Sequence, residues 1–129
     1  MKKISLFTKY IFYFLNFLLI ILYIYPGSIL GWIVYGDFQK QPQLSSDFFV
    51  SSNHVYAFLF LTLLGVIAFD REKIKKIFIY LFCISLVLEF CHNFIPRRSF
   101  EYADLYGNFC GVLIVFLLFK FYEYIKNQK

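Results

Sequence analysis

The residues best suited to chemistry in this 129-residue chain lie in one polar stretch between two apolar segments. Glu89 and His92 are three residues apart, and Asp104 and Asn108 are four apart, so on helices each pair shares one face. Arg98 lies between the two pairs. An imidazole beside a carboxylate can transfer protons, and a guanidinium can bind a phosphate through two parallel hydrogen bonds. The pattern therefore indicates a site that binds an anion or acts on one.

Glu89 is the most informative of these residues because it lies inside an apolar span. A carboxylate at membrane depth must pair, protonate or reach water. His54, at the start of an earlier apolar segment, is expected at the same depth. We predict that one layer binds the ligand, formed by Arg98, Glu89, His92, His54, Asp104 and Asn108. Catalysis, if present, would use Glu89, His92 or His54.

Several of these residues also have structural interpretations. Asp104 suits the N-terminal end of a helix, where a carboxylate is favoured. Asn108 could hydrogen-bond between helices, and Arg97 could be a solvated loop charge. His54, His92, Glu89 and Asp104 could together bind a divalent ion. However, they lack the tight spacing of an H-E-x-x-H motif, so we predict neither a metal site nor a cofactor.

The composition indicates the elements that must position this layer. The chain is 60% hydrophobic and 24% aromatic, with 16% charged residues, whereas soluble domains carry about 25%. We therefore predict a single-domain, all-α, polytopic membrane protein. The net charge of +5 could suggest a nucleic-acid partner, but the basic residues flank apolar segments, which excludes that class.

Four segments are long enough to cross a bilayer, which takes about 20 apolar residues. They predict a four-transmembrane-helix bundle with helices at about residues 10–25, 53–69, 77–95 and 105–122. The connector at residues 28–35 is too short to span, and its Trp32 and Tyr35 suit a membrane interface. A cleaved signal peptide over residues 1–27 is the alternative for the first helix, but the run lacks a small-residue cleavage pattern.

The distribution of Lys and Arg predicts the orientation. Ten of these residues fall on one side of the predicted bundle, and only Lys40, Arg97 and Arg98 fall on the other. The positive-inside rule places both termini in the cytoplasm, so the polar layer opens to the outer face of the membrane.

Gly107 and Gly111 form a G-x-x-x-G spacing that allows close helix approach. Packing within the bundle is the first interpretation, and a homodimer through these glycines is the alternative. Three cysteines, Cys83, Cys91 and Cys110, are an odd number, which argues against a disulfide scaffold. We expect them to be buried thiols.

The polar stretch resembles the VanZ-like family of small bacterial membrane proteins. That family's pattern is a His at a helix start, Glu-x-x-Gln, a Pro-x-Arg loop and Asp-x-x-x-Asn-x-x-Gly. The matching positions here are His54, Glu89, His92, Pro96, Arg98, Asp104, Asn108 and Gly111. Three departures stand out: Val50-Ser51 replaces a frequent Asp-Lys, Phe58 a frequent Tyr, and His92 the Gln.

The resemblance implies a multi-pass protein of the bacterial cytoplasmic membrane. It also implies a role in the cell envelope, through glycopeptide (teicoplanin) resistance or exopolysaccharide production, but no reaction. We expect a non-catalytic protein that binds a membrane lipid with an anionic head group, such as a polyprenyl phosphate or a lipid-linked glycan. A membrane enzyme acting on a lipid-linked phosphate is one alternative. A structural or assembly partner of a polysaccharide machine, with the polar layer as a latch between helices, is the other.

Overall fold

The computed structural model describes residues 2–128, with side chains from residue 6 onward, and every regular element in this range is helical. The elements are α1 (Lys2–Ile24), α2 (Ile29–Tyr35), α3 (Ser52–Ala68), α4 (Arg71–Cys91) followed by a 3₁₀ turn (His92–Phe94), and α5 (Tyr102–Asn127). The predicted all-α class is confirmed for this part of the chain. The side chains of Lys2 and Lys3, and all of Lys129, contribute to the predicted orientation but lie outside the described residues.

Three helices extend well beyond the apolar segments that predict them, and the first of these, α1, begins at Lys2 instead of residue 10. α4 begins at Arg71, well before residue 77, and α5 runs past both ends of the predicted 105–122. The added turns are rich in Lys, Arg and Glu, which favour helices as strongly as most apolar residues do. At the other end, α4 stops at Cys91 instead of residue 95 and tightens into the 3₁₀ turn before Pro96. Hydropathy therefore located the apolar part of each helix but not its ends.

The described residues include two helices that are long and apolar enough to cross a membrane, Leu6–Ile24 and Tyr102–Asn127. α3 is apolar but shorter, at 17 residues, and α4 begins with several charged residues. Large apolar side chains are more than half exposed on the outside of the bundle, including Phe7, Phe14, Phe17, Ile67, Leu118 and Phe121. Polar side chains are instead buried, among them His54, Thr62, Ser85, Glu89, His92 and Asn108. An apolar exterior, with these polar side chains placed inside beside a hydrophobic core that includes Phe12, Phe58 and Leu81, is compatible with membrane association.

α3 is the central helix and packs against α1, α4 and α5. Its approach to α5 depends on two glycines. A Cβ atom on Gly111 would lie 2.5 Å from the carbonyl oxygen of Val55, and one on Gly107 would lie 2.7 Å from that of Ser51. The G-x-x-x-G spacing is therefore used within the bundle. A second copy could reach these glycines only by displacing α3.

α2 and the loop after it lead the chain from α1 to α3. Ser28 caps α2 by accepting a hydrogen bond from the backbone N–H of Gly31 at 2.9 Å. Trp32 and Tyr35 are exposed on this short helix, as an interfacial segment requires. At the start of α3, Asp47 accepts a hydrogen bond from the backbone N–H of Ser52 at 2.8 Å, which lowers the pKa of the Asp47 carboxyl.

The three cysteines are free thiols, so no described pair forms a disulfide. The expectation that all three are buried is wrong for Cys83, which is exposed, while Cys91 and Cys110 are half-buried. Cys83 lies on the outward face of α4, where an apolar surface gives a small thiol a suitable environment without burial in the bundle.

Candidate functional site

Four helix ends meet at one end of the bundle and bring the predicted polar residues together. α1 contributes from its last turn and α4 from its last turn and the 3₁₀ turn after it, whereas α3 contributes from its first turn and α5 from its first two turns. We call the group the polar cluster; its members are Tyr23, His54, Glu89, His92, Asp104 and Asn108. All but Asp104 are buried, and Asp104 is half-buried. The sequence predicted every member except Tyr23.

Tyr23 joins three helices at the centre of the polar cluster. Its hydroxyl donates to Oδ1 of Asn108 at 2.7 Å and lies 2.9 Å from Nδ1 of His54. The same Nδ1 lies 3.0 Å from Asn108 Oδ1. Since an amide oxygen only accepts, Nδ1 carries a hydrogen when Asn108 is oriented in this way. These contacts tie α1, α3 and α5 together.

The other ring nitrogen of His54 faces a carboxylate. Nε2 lies 3.5 Å from Oδ2 of Asp104. The His54 side chain is 7% exposed and the Asp104 side chain is 21% exposed. Asp104 belongs to the first turn of α5, where the positive end of the helix dipole stabilises its negative charge. The interpretation of Asp104 as the helix cap is wrong, because Glu101 occupies the N-cap position and none of the described side chains makes a capping hydrogen bond there.

Glu89 and His92 form a second pair, on α4 and the turn that follows it. Nδ1 of His92 lies 3.2 Å from Oε1 of Glu89, and Nε2 lies 3.1 Å from the backbone oxygen of Tyr23. Oε1 also accepts the backbone N–H of Glu101 at 3.1 Å. Because the Tyr23 oxygen only accepts, Nε2 must carry a hydrogen, and one further proton lies between Nδ1 and Oε1. The pair is thus built to hold a proton below the surface.

Two atoms of the polar cluster have no hydrogen-bond partner among the described residues. They are Oε2 of Glu89 and Nδ2 of Asn108, and both residues have 0% exposed surface. Buried polar atoms are paired in the great majority of cases, so an unpaired one needs an explanation such as a water, an ion or a ligand. The polar cluster is therefore incomplete as a purely structural hydrogen-bond network.

Arg98 lies beside the polar cluster, but much of its guanidinium contacts the backbone. Nη2 donates to the carbonyl oxygens of Leu22 at 2.8 Å and Gly27 at 2.6 Å, and Nε donates to that of Tyr25 at 3.3 Å. Partial burial lowers the pKa of Arg98. Arg98 thus satisfies carbonyls that the end of α1 leaves without helical partners. Arg97 is exposed, as a solvated loop charge would be, and has a φ angle of 64°.

An open cavity of about 500 Å³ lies between α1, the α2 connector and α3. Its walls are mainly apolar, from Leu15, Leu18 and Leu22 on α1 to Ala57, Phe60 and Leu61 on α3. Tyr23, His54 and Arg98 line its polar end. The cavity therefore connects a long apolar groove to the polar cluster.

Tyr23 is one of 11 tyrosines, so little in the sequence distinguished it from the others. The available signal was its position in the last turn of α1, just before Pro26, at the level where the other polar residues were expected. A Tyr in that turn also suits a membrane interface, which is the commoner reason for it.

Three residues of the polar cluster could hold a metal ion. His54, Glu89 and Asp104 each offer one ligand atom, and these atoms lie within 4.8 Å of one another. His92 is not in this group; its ring nitrogens lie near Oε1 of Glu89 and the backbone oxygen of Tyr23. The sequence analysis named these three residues with His92 but predicted no metal site because they lack tight spacing; their ligand atoms come together from three different helices.

Comparison with known proteins gives one family match. The VanZ/LLP1 family model matches residues 2–123, which includes α1 and Tyr23 as well as the polar stretch. No curated protein and no solved structure is significantly similar to the chain.

Proposed function

The chain belongs to the VanZ/LLP1 family, and we propose that it is an integral membrane protein that binds the head group of an anionic envelope lipid. In this proposal α1, α3, α4 and α5 cross the bacterial cytoplasmic membrane and both termini are cytoplasmic. Support comes from the antiparallel order of the helices and from the basic residues at the end opposite the polar cluster, among them Lys9, Arg71 and Lys120. The polar cluster then opens to the outer face.

The observation that carries this proposal is the cavity that ends at the polar cluster. Its volume of about 500 Å³ is within the usual range for ligand pockets, about 300–1,000 Å³. A lipid chain would lie along the leucines of α1 and the apolar face of α3, while its head group would meet Tyr23, His54 and Arg98. A polyprenyl phosphate or a lipid-linked glycan has this combination of a long apolar chain and an anionic end.

Arg98 has less freedom to bind phosphate than its charge alone indicates. Nε and Nη2 already donate to the backbone of α1, so Nη1 is the part of the guanidinium left for a phosphate oxygen. A two-bond grip on phosphate would require Arg98 to release the carbonyls at the end of α1. We therefore assign Arg98 a single phosphate contact together with a long-range attraction for the anion.

Such binding would connect the protein to the envelope processes that its family resemblance implies. A protein that holds a lipid carrier at the outer face would alter how much carrier reaches wall or exopolysaccharide assembly. Glycopeptide resistance and exopolysaccharide production are both compatible with that effect. The proposal requires no reaction at the polar cluster.

Lipids that co-purify with the protein in mild detergent, identified by native mass spectrometry, test the proposal. Ala57→Phe should fill the cavity wall and remove the bound polyprenyl or glycolipid species, while leaving the polar cluster intact. Val87→Phe is the matched control, because Val87 is exposed on α4 and does not line the cavity. We expect the control to retain the lipid.

Arg98→Ala provides the second comparison. It should weaken retention of the anionic lipid, and a thermal melt should show separately how much stability α1 loses with its carbonyl partners. If wild type and Ala57→Phe carry the same unselective phospholipids, the proposed lipid site is wrong. The polar cluster would then be better described as a latch between helices.

A membrane enzyme acting on a lipid-linked phosphate is the second candidate, favoured by the surroundings of His54. Its imidazole lines the cavity, with the Asp104 carboxylate near one nitrogen and Tyr23 and Asn108 near the other. A positioned imidazole of this kind can act as a general base. Release of inorganic phosphate from polyprenyl phosphate by wild type, and its loss in His54→Gln, would favour this candidate.

A further inference from the structure

His54, Glu89 and Asp104 converge from three helices to within the reach of one ion. One ligand atom from each lies within 4.8 Å of the others, and His54 Nε2 is 3.5 Å from Asp104 Oδ2. Ligands of a tetrahedral zinc ion, each about 2.1 Å from the metal, are about 3.4 Å apart. The His54–Asp104 edge therefore already has the required length, and Glu89 would complete the set by a small side-chain movement.

Glu89 supplies an independent indication that something belongs at this place. Its side chain has 0% exposed surface, and Oε2 has no hydrogen-bond partner among the described residues. Oε1 is occupied by His92 and by the backbone N–H of Glu101. One carboxylate oxygen is therefore fixed by the protein while the other is left for a ligand, which is how ligating carboxylates are commonly held.

The surroundings of His54 favour the ring form that binds a metal. Asn108 Oδ1 lies 3.0 Å from Nδ1 and accepts its hydrogen, which leaves the lone pair of the neutral ring on Nε2. Nε2 and Asp104 Oδ2 would then be two acceptors at 3.5 Å, and only a cation or an added proton makes that approach favourable. Asn108 would thus orient the ligand in the way that partners of metal-bound histidines usually do.

From these observations we propose that the polar cluster binds one divalent transition-metal ion through His54, Glu89 and Asp104. One imidazole and two carboxylates suit Zn²⁺ or Mn²⁺ better than Mg²⁺ or Ca²⁺, which prefer sites made only of oxygen. The two carboxylates balance the charge of the ion. Three protein ligands leave a position open, as in zinc sites that bind a further molecule.

The open position gives the ion a role toward the lipid, and this step rests on the proposed function. His54 lines the cavity, so a phosphate oxygen of a head group could become the fourth ligand. The ion would then supply the positive charge that Arg98, engaged with the end of α1, supplies only in part.

Metal content of the purified protein tests the site directly, without any lipid. The protein should carry no polyhistidine tag. It is first stripped of metal with a chelator, then equilibrated with Zn²⁺ or Mn²⁺ and desalted. The bound metal is measured by inductively coupled plasma mass spectrometry. Wild type should retain about one ion per chain. Asp104→Ala should lower the affinity by at least about 100-fold, since even changes to indirect partners cost about 10- to 100-fold.

Glu101→Ala is the matched control, because Glu101 is an exposed carboxylate whose backbone N–H, not its side chain, contacts Glu89. It should bind the ion as wild type does, and His54→Gln should behave like Asp104→Ala. Should neither cluster variant fold, the visible spectrum of Co²⁺-loaded wild type decides, because a low-coordinate nitrogen–oxygen site gives intense bands.

Wild type without a stoichiometric ion would overturn the proposal, and equal retention by Asp104→Ala and His54→Gln would overturn it as well. In those cases protons alone occupy the polar cluster. Since no lipid is present, this result is distinguishable from a failure of the lipid site, which the cavity variant Ala57→Phe measures.

Discussion

Charged side chains lie at the surface at one end of the bundle, whereas polar side chains are mostly buried at the other. At one end, long side chains form ion pairs at the surface: Lys9–Asp70 at 3.6 Å, Arg71–Glu123 at 2.9 Å and Lys120–Glu123 at 3.0 Å. At the other end, the polar cluster is buried and contains two polar atoms without a partner among the described residues. We call the first region the charged end.

This difference separates charges that orient a helix bundle from charges that form a site. Exposed ion pairs add little to the stability of the fold, because water screens the charges and the paired side chains lose conformational entropy. Buried groups are costly to place, so they persist when packing, a proton, an ion or a ligand compensates for the lost water. The polar cluster, and not the more numerous charges at the other end, is therefore where changes should have large effects.

The largest effect is expected from Glu89→Ala. It removes the acceptor of His92 Nδ1 and of the Glu101 N–H, and both would stay buried without a partner. Breaking a buried pair costs about 3–5 kcal/mol, so the melting temperature in detergent should fall by about 10 °C or more. Differential scanning fluorimetry on purified protein measures this.

Glu123→Ala is the control for that comparison, since Glu123 is the acidic partner at the charged end. We expect it to melt close to wild type. Equal losses from the two variants would mean that the two ends contribute to stability in the same way.

The next largest effect concerns the glycines of α3 and α5. Gly111→Ala, near the polar cluster, places a Cβ 2.5 Å from the Val55 carbonyl oxygen, and backbone cannot move aside cheaply. Gly65→Ala, near the charged end, meets side chains of Ile77 and Phe12 at 2.9 and 3.0 Å, which can rotate. Overpacking costs about 1–3 kcal/mol, so we expect this loss for Gly111→Ala and a smaller one for Gly65→Ala.

The unfolding midpoint of both glycine variants in the same detergent checks this ordering. If Gly65→Ala is the more damaging change, the close approach that limits the fold lies at the charged end and not at the polar cluster.

A smaller effect is expected from His92→Gln, the residue that the family resemblance implies at this position. A Gln amide can still donate to Glu89 or to the backbone oxygen of Tyr23, so we expect a loss of about 1 kcal/mol. Lipid retention should be unchanged, because His92 does not line the cavity. Metal affinity should fall less than in Asp104→Ala, because His92 contacts the proposed ligand Glu89 without being a ligand itself, and Gln can still donate to Glu89. Loss of the lipid, or a loss of metal as large as in Asp104→Ala, in a variant that folds normally would place His92 in the binding site.

The sequence predicted most of the polar cluster because helical spacing and helix order are local properties. Glu89 with His92, and Asp104 with Asn108, each share a face by their spacing, and a short loop makes their helices antiparallel. His54 followed from its position at a helix start. The positions of five members could therefore be predicted without any knowledge of side-chain packing.

The remaining features depend on packing between helices, which the spacing of residues along the sequence does not reveal. Tyr23 joins the polar cluster because α1 crosses α3 at one particular rotation, and any tyrosine in its last turn would look similar in the sequence. The Pro-x-Arg pattern placed Arg98 in the loop, but its contacts with the carbonyls of α1 depend on the loop conformation. Helix ends were also misplaced, because hydropathy reports burial in a membrane whereas helices continue through exposed charged residues.

The smallest effect should come from Arg71→Ala at the charged end. Its Nε donates to Glu123 at 2.9 Å, but the Arg71 side chain is 55% exposed and Lys120 contacts the same carboxylate. Water and Lys120 can replace the lost contact, so the melting temperature should change by no more than about 2 °C. Metal and lipid retention should equal those of wild type. A drop approaching that of Glu89→Ala would show that a surface network, and not burial, holds the bundle together, and the contrast between its two ends would no longer stand.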